Sequence, residues 1–168
     1  MSQSLYQAVK GWIDGETTIR AAVLFGSNAS SVSGNDTSSQ GSDFDFHIVT
    51  TEPTRLVNTD WQLVLPDHKY QMQCLRPATG GVQKLTVLFD AGQIDLIIVP
   101  QGILRLARIG MALGLDRHSA KLSTALNEIN TCVREGYSVL KGEESWGDFY
   151  AKVASNFRGV RLSDGQMV

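Results

Sequence analysis

The sequence lacks the features that mark several large classes of protein. It has no block of basic residues and a formal net charge of −2, so its electrostatics give no reason to expect a nucleic-acid binder. No apolar run approaches the ~20 residues that cross a bilayer, so no membrane association is expected. The N-terminus has neither a basic region nor an apolar signal core. These absences predict a cytoplasmic protein.

Cysteine is also scarce, with only Cys74 and Cys132 present, far apart and without the spacing of a metal site. One disulfide is possible, but two free thiols in a reducing compartment are the favoured interpretation. What the chain does have is 168 residues, of which 42% are hydrophobic. That is enough for one domain with a substantial core.

The first two thirds of the chain alternate between helical and strand patterns. Apolar residues at helical spacing predict a helix over Leu5–Ile13. Ile19–Phe25 is a compact apolar run typical of a buried strand, and Asp43–Thr50 alternates with the period of a strand. Leu85–Phe89 and Ile94–Val99 predict a hairpin joined by a glycine-containing turn.

Other segments give weaker or later signals. Leu63–Leu65 and Tyr70–Leu75 are further strand candidates, while Leu122–Leu140 and Trp146–Val160 have helical spacing. The order predicts an α+β fold in which a mixed sheet is flanked by helices, with more helices at the C-terminus. We expect a core over residues 1–110 and a helical segment over residues 111–168.

The segment 26–42 has a different composition, rich in serine, glycine and asparagine. It follows one predicted strand and precedes the next, so it predicts a flexible loop. A loop of this length inside a compact domain is uncommon and often functional.

Asp43 and Asp45 come directly after this loop and are separated by one residue. On a strand that spacing puts both carboxylates on one face, where they repel each other unless a cation binds between them. Magnesium takes one or two carboxylates together with water and phosphate oxygens. The pattern is also common by chance, and two solvated aspartates are then the alternative.

Asp95 is the lone charged residue within the apolar run Ile94–Val99. Burying a carboxylate costs several kcal/mol unless it is paired, hydrogen-bonded or bound to metal. It either forms local hydrogen bonds to backbone or, if its strand lies beside that of Asp43 and Asp45, completes a metal site or supplies a general base.

Gly26 and Ser27 directly follow the first predicted strand. Glycine lets a backbone approach a phosphate closely, and the serine hydroxyl and neighbouring N–H groups can donate hydrogen bonds to it. The same dipeptide is ordinary in turns.

Taken together, Leu24-Phe25-Gly26-Ser27 and Ser42-Asp43-Phe44-Asp45-Phe46 resemble the signature of the DNA polymerase β-like nucleotidyltransferase superfamily. Within it, Ile19–Ser27 and Leu88–Pro100 are similar to the opening strand and the third-aspartate hairpin of aminoglycoside 6-adenylyltransferases, and Gly136–Leu140 is similar to a later short segment. The likeness extends over roughly residues 5–145.

This resemblance implies an enzyme that transfers AMP from ATP, or a nucleotide from another nucleoside triphosphate, to a hydroxyl group of a small acceptor. An aminoglycoside acceptor would make it an antibiotic-resistance protein. Asp43, Asp45 and Asp95 would bind Mg²⁺ or Mn²⁺, with Asp95 alternatively acting as the base, and Gly26 and Ser27 would hold the nucleotide phosphates.

The chain departs from the family at three points. Asn28 stands where arginine often follows Gly-Ser, the loop before Asp43 is long, and the chain stops at Val168, before the family's further helical domain. It is therefore expected to be a fragment, a minimal relative or a homodimer. A non-catalytic relative that binds a nucleotide or a partner protein is the alternative function.

A few other residues are candidates for the same site. His47 shares the predicted face of Asp43 and Asp45 and could reach a phosphate, although a histidine at the sheet surface is the favoured interpretation. Trp61 and Tyr70 could stack on an adenine, but no pattern places them near the aspartates.

Overall fold

The computed structural model describes residues 4–26, 28–29, 43–77, 82–113 and 137–142. Within these ranges lie three α-helices, a short 3₁₀ turn and six strands. The helices are α1 (Leu5–Gly15), α2 (Pro53–Asn58) and α3 (Gln101–Ala112), and the 3₁₀ turn is Trp61–Leu63. The strands are β1 (Ile19–Phe25), β2 (Phe44–Thr50), β3 (Tyr70–Pro77), β4 (Gln83–Phe89), β5 (Gly92–Pro100) and β6 (Tyr137–Lys141).

The six strands form one sheet in the order β3-β4-β5-β2-β1-β6. β2 and β5 pair in parallel, and the other neighbours pair antiparallel. A mixed sheet flanked by helices is the α+β architecture predicted from the sequence. The parallel pair at its centre brings two segments about 50 residues apart in sequence into direct register.

One face of the sheet carries the main hydrophobic core. Every second residue of β2 and β5, such as Phe46, Ile48 and Leu96, is fully buried there. Helix α1 supplies Val9 and Ile13 to the same cluster. Ser4 caps this helix, since its hydroxyl accepts a hydrogen bond from the Gln7 backbone N–H.

The central strands are buried on their second face as well. Val23, Val49 and Val99 alternate with the core residues, so they point to the opposite face, and they are also buried. This double burial explains why β1 and β5 read as nearly continuous apolar runs. A charged residue on these strands is therefore conspicuous.

The end of the sheet where β1 begins is closed by polar contacts to helix α1. The Lys141 ammonium donates to the backbone carbonyls of Ile13 at 2.7 Å, Glu16 at 2.8 Å and Asp14 at 3.2 Å. These carbonyls lie at the C-terminal end of the helix, where a positive charge is favourable. Lys141 thus ties β6 to α1.

Most predicted elements are confirmed: α1, β1, β2, β3 and the β4–β5 hairpin all coincide with their predicted segments to within a few residues. Two predictions are wrong. Leu63–Leu65 is not a strand, because residues 61–63 form a 3₁₀ turn that buries Trp61. The helical spacing predicted through Leu140 does not extend over Tyr137–Lys141, which pairs with β1.

Several other predictions lie outside the described residues: Ser27, most of the 26–42 loop, Cys132, and the helical patterns at 122–136 and 146–160. Cys74 is exposed and free. The division at residue 110 stays a prediction. In the described part of the chain, no helix combines the length and apolar composition needed to cross a bilayer.

Candidate functional site

The centre of the candidate site is a pair of aspartates on neighbouring parallel strands. Asp45 of β2 is the register partner of Asp95 of β5. Because partners in a parallel ladder point to the same face, the two carboxylates lie on one side of the sheet, on strands about 4.8 Å apart. The sequence could not fix this pairing, since it depends on which strands become neighbours.

Asp43 lies just before β2 and is exposed, so the strand starts one residue later than predicted. Its backbone carbonyl accepts a 2.6 Å hydrogen bond from the Asn28 side-chain amide. Asn28 is notable in the family resemblance only because it replaces an arginine. In the structure it joins the turn after β1 to the start of β2. That contact fixes the chain at the point where the acidic segment enters the sheet.

Gly26 directly follows β1 and has a backbone φ of +83°. L-residues with a side chain rarely adopt this conformation, whereas glycine does so without strain. A Cβ at this position would lie 3.5 Å from Oδ2 of Asp45, so the turn passes directly beside that carboxylate. The Gly26 carbonyl accepts from the Ala29 backbone N–H at 3.0 Å, which closes the turn.

Asp95 is buried, with 6% of its surface exposed, and its charge is compensated. Lys84 of β4 places its ammonium 2.6 Å from Oδ2 of Asp95. The Gln93 amide donates to the other oxygen, Oδ1, at 3.4 Å. The local backbone hydrogen bonds considered from the sequence are not what the structure shows for Asp95; a lysine from the neighbouring strand takes that place.

Lys84 was missed by sequence reasoning, although a signal for it exists. The tight turn at Asp90-Ala91 sets the hairpin register, in which Thr86 is the partner of Asp95 and Lys84 lies two residues further along the same face. Counting outward from that turn would have identified Lys84 as a cation within reach of Asp95.

His47 lies two residues after Asp45 on β2, but it is only 2% exposed. Burial lowers the pKa of its imidazole from 6.5 to about 4, so the ring is neutral at pH 7. It also makes an edge-to-face contact with Phe25, with ring centroids 5.8 Å apart. The surface position expected for His47 is wrong, because β2 is buried on both faces at this point.

Trp61 lies elsewhere. Its ring stacks on Trp12 of α1 at a centroid separation of 4.1 Å, and both belong to or pack against the core on the helix α1 face. Tyr70 also packs against that core. Both aromatic side chains are therefore occupied in packing on the face opposite to Asp45 and Asp95, which removes them as candidates for stacking on an adenine beside these aspartates.

The side chains available as metal ligands at this site suit one kind of metal site. Among the described residues, no group of three or more histidine, cysteine, aspartate or glutamate side chains is close enough to form a site. Two carboxylates in register on neighbouring strands, beside a glycine turn, still suit magnesium, which uses one or two protein carboxylates and fills its other positions with water and phosphate oxygens. The arrangement thus favours a cation shared with a phosphorylated ligand over one enclosed by protein.

No known protein family and no curated protein sequence matches this chain. The geometry of the site and the sequence resemblance are therefore the observations that bear on function.

Proposed function

We propose that this chain is a metal-dependent nucleotidyltransferase that transfers AMP from ATP to a hydroxyl group of a small acceptor. The observation that supports this most directly is the register of Asp45 with Asp95, beside the Gly26 turn. Two carboxylates on one face of a sheet repel each other unless cations offset their charge, as Lys84 does for Asp95. A divalent cation and a phosphate ligand make that arrangement useful.

In this proposal Asp45 and Asp95 would hold Mg²⁺ or Mn²⁺, which needs only one or two protein carboxylates. The bound cation would offset negative charge on the phosphate oxygens. The backbone around Gly26 and the Ser27 hydroxyl hold the triphosphate.

The chemical step is an in-line substitution at the α-phosphorus. The acceptor oxygen forms a bond to that phosphorus, the bond to the bridging oxygen of the leaving group breaks, and pyrophosphate departs. Asp95 accepts the proton that the hydroxyl group loses. The choice of ATP and of an aminoglycoside-like acceptor comes from the resemblance, and the acidic surroundings of the site agree with a cationic acceptor.

A second candidate function has one observation in its favour. Lys84 and Gln93 contact both oxygens of Asp95. A carboxylate neutralised in this way can be purely structural, as expected of a relative that binds a nucleotide or a partner protein without catalysing transfer. The two candidates differ in whether pyrophosphate is released.

The test is to measure thermal stabilisation by ATP with Mg²⁺, and pyrophosphate release with a panel of hydroxylated cationic acceptors, in wild type and Asp45→Asn. Wild type should be stabilised and should release pyrophosphate with at least one acceptor. Asp45→Asn should lose both responses, because one of the two central carboxylates no longer binds the cation.

Asp60→Asn is the matched control, since it removes one exposed carboxylate next to the 3₁₀ turn on the far face of the sheet. It should behave as wild type. Stabilisation of wild type by ATP and Mg²⁺ without pyrophosphate release would favour the non-catalytic candidate. An absence of any ATP- or Mg²⁺-dependent response in wild type would refute the transferase and also a non-catalytic nucleotide-binding relative.

A further inference from the structure

Lys84 forms an ion pair with Asp95, the buried carboxylate of the candidate site. Its Nζ lies 2.6 Å from Oδ2, and the carboxylate is almost fully buried while the lysine side chain is 37% exposed. The ammonium group therefore lies at the boundary between the site and solvent. The lysine stem is flexible and can place its charge in more than one position.

The charges of the site make this contact informative. An oxygen in contact with an ammonium group is a poor metal ligand, because a second cation at that oxygen repels the first. Metal binding at Oδ2 of Asp95 therefore requires Lys84 to move.

We propose that Lys84 is an exchangeable counter-ion. It neutralises Asp95 in the metal-free protein, leaves that carboxylate when a divalent cation binds, and then donates to the phosphate oxygens of the nucleotide. This inference rests on the proposed function and assigns a role to a residue outside the aspartate pattern. A lysine ammonium suits both positions, since it binds carboxylate and phosphate as a point charge.

The first test compares Mn²⁺ affinity without nucleotide in wild type, Lys84→Gln and Asp45→Asn. Lys84→Gln should bind Mn²⁺ about tenfold more tightly than wild type, because no ammonium competes for Asp95. With Mn²⁺ saturating, the same variant should bind a non-hydrolysable ATP analogue about tenfold more weakly. Lys10→Gln removes an equal charge from an exposed helix pair and should change neither affinity.

A second measurement uses the unmodified chain and so does not depend on the folding of a variant. Amine labelling followed by mass spectrometry should modify Lys84 slowly in metal-free protein and faster with Mn²⁺. Labelling should be slow again with Mn²⁺ and the ATP analogue together. A Lys84 labelling rate that is insensitive to Mn²⁺ would overturn the exchange.

The outcomes separate this inference from the proposed function. If Asp45→Asn loses Mn²⁺ binding but Lys84→Gln gains none, the site stands and the role of Lys84 is refuted. If neither wild type nor Lys84→Gln binds Mn²⁺, the proposed function fails and this inference fails with it. If only Lys84→Gln binds Mn²⁺, Lys84 blocks the site in the native chain, and release of the ion pair by the cation is refuted.

Discussion

The two ends of the β1–β2 pair both carry charged residues, but they arrange them in opposite ways. Where β1 begins, Glu16 accepts from the Thr18 backbone N–H and hydroxyl at 3.1 and 2.9 Å, and Lys141 donates to three carbonyls at the end of α1. Where β1 ends, Asp45 and Asp95 lie in register with like charges on one face. The first arrangement connects elements of the fold, and the second places two carboxylates side by side, with Lys84 as the counter-ion of Asp95.

This difference indicates how the two ends should respond to mutation. Changes at the Glu16–Lys141 end should lower stability and leave any activity of the folded protein intact. Changes at the Asp45–Asp95 end should abolish the proposed nucleotidyl transfer with a much smaller effect on stability, as is common for residues that a protein keeps for function.

The largest effect is expected for Asp95→Asn. Pyrophosphate release should fall about 1,000-fold, equivalent to about 4 kcal/mol of transition-state stabilisation, because both cation binding and proton acceptance are lost. The free energy of unfolding of the metal-free protein should change by only about 1 kcal/mol, since the freed Lys84 is partly exposed and can turn to water. Steady-state kinetics and urea unfolding of the same preparation measure the two quantities. Comparable losses of stability and activity would contradict the assignment of this end to chemistry.

Lys141→Met should give the converse result. The methionine keeps an apolar stem but removes the ammonium group from three carbonyls, which should lower the free energy of unfolding by about 2–3 kcal/mol. Lys10→Met is the matched control, because it removes an equal charge from an exposed i,i+4 pair with Asp14 on α1 that contributes about 0.5 kcal/mol or less. Equal effects of the two substitutions in urea unfolding would show that Lys141 does not hold β6 on α1.

Much of the fold and part of the candidate site could be predicted from the sequence. The rest could not, for identifiable physical reasons. Periodicity located α1, β1, β2 and the β4–β5 hairpin, because each buries a regular set of apolar residues. Composition also singled out Asp95 as a charge in an apolar strand. Neither signal reports which strands become neighbours, so the register of Asp45 with Asp95 required the sheet itself.

The residues that sequence patterns did not identify were missed for a different physical reason. Lys141 and Asn28 act through hydrogen bonds to backbone carbonyls of residues distant in sequence, and such contacts leave no periodic pattern. Tyr137–Lys141 combines an apolar spacing compatible with a helix and a length compatible with a strand, and pairing with β1 decides between them. The sequence allows Trp61 to stack on an adenine, because an aromatic residue alone does not indicate which ring it contacts. In the structure that ring is Trp12.

Gly26→Ala addresses the junction where β1 reaches the acidic end. A side chain at φ +83° should lower stability by about 1–2 kcal/mol, and the 3.5 Å approach to Asp45 adds an ordinary contact but no clash. Gly11→Ala is the control, because that glycine lies inside α1 with no atom near its added Cβ, and alanine there should stabilise the helix by up to about 1 kcal/mol. Thermal unfolding of both variants gives the comparison, and a stabilising Gly26→Ala would show that the turn does not require glycine.

Glu16→Gln should have the smallest effect and the clearest pH dependence. Burial raises the pKa of this carboxyl, but hydrogen bonds from Thr18 and the charges of Arg55 and Lys141 outweigh it, so the pKa is below its ordinary value of 4.5. A lowered pKa in the folded state means that the carboxylate stabilises the protein fully above about pH 4.5 and loses this contribution as the pH falls through the folded-state value. Because the pair with Arg55 is long and partly exposed, we expect glutamine to lower stability by roughly 1 kcal/mol at pH 7, with the difference from wild type shrinking toward zero in acid. Urea unfolding of both proteins between pH 3 and 7 measures this difference. A penalty that stays constant over that range would mean that the Thr18 contacts depend on the shape of the side chain and not on its charge.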